Sequence, residues 1–181
     1  CAGWFQGDLI LGGHSKGGNL AVFAASMCRP EICQRVKAVY SHDGPGFTDL
    51  VMNSPGYARV LPRIYSFIPE SSVVGMLLEH QEPYVVVKSR SIGVLQHDPY
   101  SWEVMGNDFV RVEDVTEGSR VLDQTLKAWL AGMSAEERSH VVDTIYEMLQ
   151  STEADRVQEL LRPKSLYAIL RAIKNEDDHS R

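Results

Sequence analysis

The chain has 181 residues, 44% hydrophobic and 23% charged, with a net charge of -6, which is ordinary for one globular domain and argues against a nucleic-acid partner. No apolar run reaches the length of a membrane span. Cys1, Cys28 and Cys33 form neither an even set nor a metal-ligand spacing, pointing to free thiols in a reducing, cytoplasmic compartment and to no metal site.

The first residues, CAGWFQGD, lack the basic region of a signal peptide. There is no initiator methionine, and an interior-like strand begins almost at once, so the sheet is expected to be truncated on its N-terminal side. Leu9, Ile10 and Leu11 form the short apolar run of a buried parallel strand. A turn at Ser15 leads into a small-residue helix over about 16–27, ended by Arg29-Pro30. Residues 36–40 are the second strand, closed by the dense turn signal His42-Asp43-Gly44-Pro45-Gly46-Phe47. A loop with a short helix fills 48–62, and alternation over 63–68 predicts the third strand, closed by Pro69-Glu70-Ser71-Ser72. An apolar segment over 73–78 precedes the fourth strand at 84–88. After a bend, His97-Asp98-Pro99-Tyr100-Ser101-Trp102 follows, with Asp98 reading as a helix N-cap.

From about Val115 helical spacing takes over. Helices are predicted over 117–131, 134–150 and 154–175, the last broken at Arg162-Pro163. Gly132 ends the first of them, and Ser134 and Glu137 form a capping box for the next. Strands alternating with helices up to about residue 90 predict an α/β fold, a mostly parallel sheet with flanking helices over 1–114. Residues 115–181 form a helical extension of the same domain.

Gly13-His14-Ser15-Lys16-Gly17 fits G-x-S-x-G between a strand and a helix, where a serine is held on a strained turn with its hydroxyl exposed. Gly13, Gly17 and Gly18 are expected to let strand and helix pass closely. The bland reading is a glycine-rich turn that only packs or that binds phosphate at a helix start. A P-loop is disfavoured, because the glycine and lysine spacing is wrong. Serine alone is a weak nucleophile and needs a base, itself oriented by a carboxylate, in the chain order Ser, Asp or Glu, His. His97 is the histidine that closely follows the fourth strand and is the candidate base. His80 and His42 precede that strand, and His140 and His179 lie on the helical extension. His14 occupies the variable position of the motif, where its side chain is expected to point away from the nucleophile. Asp43 is the preferred acid for its tightly specified loop, with Glu70 the alternative on position. The Lys16 backbone N–H is the expected oxyanion donor, and a second donor is expected from upstream.

With GGHSKGGNLA at 12–21, DGPGF at 43–47 and QHDPYSW at 96–102, the chain resembles the α/β-hydrolase superfamily, most closely a bacterial lipase-like branch, over roughly residues 1–130. That resemblance implies Ser15 as nucleophile and His97 as base. The resemblance names no substrate; with the residues, it gives the reading of a serine hydrolase of esterase or lipase type, acting on a small-molecule ester or lipid without a cofactor. A catalytically inactive module that binds lipid or protein is the alternative, and thioester or peptide cleavage is a third reading. A truncated sheet would further predict self-association through its open edge.

Overall fold

The computed structural model of the protein describes residues 6–134 and residue 137. A four-stranded, all-parallel sheet runs in the order β1 (Leu9–His14), β2 (Val36–His42), β3 (Ile64–Pro69), β4 (Tyr84–Val87). Parallel neighbours need crossovers, and α1 (Lys16–Met27) supplies the first. Short helices fill the rest: α2 (Pro30–Cys33) after it, then α3 (Asp49–Met52) and α4 (Pro55–Val60) before β3. Strands added successively in one direction by crossovers of one hand carry their helices to one face of the sheet. Val22 and Ala25 of α1 accordingly pack with Tyr57 and Val60 of α4 against Val36, Val39 and Ile64 of the strands. Each fully buried side chain of this kind contributes roughly 1.5–3 kcal/mol relative to exposure.

Val36 and Val39 both join this core although they differ by three positions. Leu9 pairs with Val36 and Ile10 with Ala38, so Lys37 is an extra residue in β2. The bulge resets the side-chain alternation. Beyond it Val39 and Ser41 face the helices, while Tyr40 and His42 lie on the opposite face. There the rings of Tyr40 and Tyr65 stack at 5.2 Å and those of His42 and Phe67 at 5.6 Å. Trp102 and Phe109 close over His42 at 6.0 and 6.2 Å. Phe109 belongs to a small antiparallel pair, β5 (Val104–Met105) with β6 (Asp108–Phe109).

The elements fall close to the expected places, and the fold class is the α/β class expected. The helix after Ser15 spans Lys16–Met27, and α5 spans Glu117–Ala131 as its spacing predicts. The small β5–β6 pair and the four-residue α2 went unpredicted, because two to four residues carry no readable period. Ser134 and Glu137 form the reciprocal bonds of a capping box, Ser134 N–H to Glu137 Oε2 at 2.6 Å and Glu137 N–H to Ser134 Oγ at 3.2 Å. The bodies of the helices expected over 134–150 and 154–175, the break at Arg162-Pro163, and Cys1, His140 and His179 lie outside the described residues. Among the described residues no helix is long and apolar enough to cross a membrane.

Candidate active site

Parallel α/β sheets place ligand sites beyond the carboxyl ends of their strands, and that is where the chemistry-bearing side chains of this chain collect. Ser15 is the single residue between β1 and α1. Its backbone has φ 57° and ψ -130°, a conformation that costs a non-glycine residue about 1–3 kcal/mol and persists only where the surroundings impose it. Here they do so from both sides. The Ser15 N–H donates to His42 O of β2 at 2.9 Å, and the Ser15 carbonyl accepts from Gly18 N–H at 3.0 Å. Strand and helix cross so closely that a Cβ on Gly13 would lie 2.3 Å from the Gly17 carbonyl carbon. Gly17 differs from expectation, since a Cβ there would meet nothing within 4 Å. The room is needed at Gly13 and Gly18.

Asp43 follows β2 and is fully buried, at 0% exposure. Its φ of 49° is one that aspartate tolerates better than most residues. Burying a carboxylate is costly unless donors replace its water, and three do. Oδ1 accepts from Ser72 Oγ at 2.5 Å and from Gly75 N–H at 3.0 Å, and Oδ2 accepts from His97 Nδ1 at 2.7 Å. The last bond sets the tautomer of the ring. A neutral imidazole that donates through Nδ1 presents Nε2 as its proton acceptor. The acid loop also packs directly beneath the serine. A Cβ on Gly44 would fall 2.9 Å from Ser15 O, and Asn19 Nδ2 of α1 donates to Pro45 O and Gly46 O at 3.0 and 2.9 Å.

His97 ends a 3₁₀ turn over Gly93–His97. Gln96, itself buried, accepts the Ser71 N–H through Oε1 at 2.8 Å, and its carbonyl accepts the buried Trp102 Nε1–H at 2.7 Å. Asp98 caps the following turn by accepting from Tyr100 N–H at 3.0 Å. Thus β1, β2 and β4 each lead to one of three side chains, with Ser15, Asp43 and His97 at one end of the sheet.

A family model described as Mbeg1-like matches residues 1–147. The chain belongs to the Mbeg1-like family. No curated protein matches it.

In this Mbeg1-like chain the two candidate acids are placed differently. Glu70 is tied in through its backbone, its N–H donating to Val87 O and its carbonyl accepting from Thr116 N–H. Among the described residues its carboxylate makes no hydrogen bond to a histidine. Lys16 opens α1 directly after Ser15, so its N–H belongs to the first turn of the helix. His80 lies elsewhere, donating through Nδ1 to Glu82 Oε1 at 2.9 Å, while Glu82 Oε2 accepts from Tyr57 Oη at 2.5 Å. Burial raises the Glu82 pKa, but the bonds from His80 and Tyr57 outweigh it and leave the group lowered. Among the described residues no group of three or more His, Cys, Asp or Glu is arranged to hold a metal ion.

Sequence reasoning missed Asn19, Ser72 and Gly75. Each acts through one hydrogen bond or one amide, and nothing in local pattern marks a residue for that. For His14 the motif predicts only a side chain directed away from Ser15. In the structure its ring packs against that of His97, with centroids 4.4 Å apart. Burial, and then the neighbouring His97, lower the His14 pKa; burial does the same to His42.

Proposed function

We propose that this chain is a serine hydrolase of the α/β-hydrolase type, esterase- or lipase-like, cleaving a carboxylic ester through an acyl-enzyme on Ser15. The observation that carries this reading is the His97–Asp43 hydrogen bond, at the same sheet end as a serine held in strained backbone. Ser15 Oγ attacks the acyl carbonyl while His97 Nε2 takes its proton. The tetrahedral oxyanion is met by the Lys16 N–H. As the intermediate collapses, the ester C–O bond breaks and His97 returns the proton to the departing alcohol. Water, deprotonated by the same nitrogen, then releases the acid and regenerates Ser15. Asp43 stays ionised throughout, orienting the ring and stabilising the imidazolium. Membership of the Mbeg1-like family is compatible with this reading.

The test is labelling with a fluorophosphonate probe, which reacts with activated serines. Wild type is expected to label, and Ser15→Ala and His97→Ala are each expected to abolish the signal. Folded wild type that stays unlabelled would overturn the reading and favour a non-catalytic module binding lipid or protein. A panel of p-nitrophenyl esters, thioesters and peptides then separates ester cleavage from other acyl transfer.

A further inference from the structure

We propose that His14, in the variable position of the serine motif, is a positioning residue that locks His97 to the nucleophile's strand; this rests on the reading of Ser15, Asp43 and His97 given above. Three separate chain segments must be held in register for those groups to act together. The elbow is joined to the acid loop by Asn19 and by the close approach at Gly44. The acid is joined to the base by the Asp43–His97 bond. His14 makes the third joint, between base and elbow. Its Nε2 lies 2.6 Å from the carbonyl oxygen of His97, across 83 residues of sequence. A carbonyl has no proton to give, so His14 must be the donor, with its hydrogen on Nε2.

The joint constrains His97 in two ways. The bond fixes the backbone from which the side chain springs. The His14 ring, 4.4 Å away and tilted by 41°, limits the swing of the imidazole about its Cβ–Cγ bond. Asp43 alone would hold one nitrogen and leave the ring free to pivot on it. His14 is also placed to remain a neutral donor, because burial and the neighbouring His97 disfavour a positive charge on its ring. Adjacent residues of one strand end thus carry the nucleophile and the tie to its base, so a shift of β1 moves both together.

The experiment compares His14→Phe, which keeps a ring but loses the donor, with His14→Gln, which keeps an N–H at similar reach. In His14→Phe, Ser15 labelling and kcat on a p-nitrophenyl ester should fall about tenfold to a hundredfold with KM unchanged, the scale expected of a small misplacement. His14→Gln should recover most of that loss, and melting temperature should follow neither trend. A correctly folded His14→Phe that labels at the wild-type rate would overturn the proposal. Should His14→Phe fail to fold, nitrogen-15 NMR of the wild type decides. A slowly exchanging Nε2–H on His14 is expected, and the Nδ1–H tautomer would overturn it. The NMR measurement needs no activity, so failure of the hydrolase reading and failure of the His14 joint can be told apart.

Discussion

At the scale of single residues, the site turns on which oxygen faces which nitrogen. Asp43 Oδ2 faces His97 Nδ1, and Oδ1 is saturated by Ser72 and Gly75. Asp43→Asn preserves size but sets an amide against the ring, favouring the tautomer with its proton on Nε2, the nitrogen that accepts one in the proposed mechanism. A loss of about 10⁴-fold in turnover is expected, as for the equivalent change in serine proteases, and single-turnover labelling rates would measure it. Glu70→Gln should stay within about twofold in the same assay, as befits a residue held by its backbone. Both carboxylates were candidates from sequence because both follow strands. What separates them is the register β2–β3 together with the wedge of residues 72–75, and neither is written in the local sequence around Asp43 or Glu70.

At the scale of elements, the segment between β3 and β4 is pinned along its length, by Ser72 and Gly75 at Asp43 and again beyond Leu77. Phe47 and Glu79 pair backbone to backbone, which places a strand-like bridge beside the acid loop. Farther on, Glu82 is clamped between Tyr57 of α4 and His80. Tyr57→Phe would leave a buried carboxylate oxygen without its donor and should destabilise the fold by about 1–3 kcal/mol. Denaturant unfolding would show the loss, while Ser15 labelling of the folded variant should be unchanged, since the lost bond runs from Tyr57 to Glu82 and not to any of the three site residues. Order and type of the main elements were readable because strand alternation and helix spacing are local. Capping at Asp98 and at Ser134 with Glu137 was equally readable, being confined to three or four residues. The Tyr57–Glu82–His80 clamp was not, because it joins residues 25 apart that share no period.

At the scale of the whole molecule, the two faces of the sheet differ in kind. One is aliphatic and covered by α1 and α4, and the other carries a stack of rings that includes two histidines. This has a consequence for acid stability. His14 and His42 titrate below the ordinary 6.5 when folded, so the unfolded chain binds protons at higher pH than the folded one. Their contribution is complete above pH 6.5 and is lost as pH falls from there through the folded values. Glu82, lowered from 4.5, adds a second loss below pH 4.5. Melting temperature should therefore decline in two stages on acidification, and His42→Gln should flatten the first; a profile level down to pH 4.5 would contradict this. The joints of the site bear on its birth as well. They span 26, 29, 54 and 83 residues, and each needs its loop closed before it stabilises anything. Synthesis delivers Ser15 first, Asp43 soon after, and His97 only when the fourth strand has emerged. On the proposed reading, a nascent chain carries Ser15 without its base until His97 has been added, and the three groups come together only with the fourth strand.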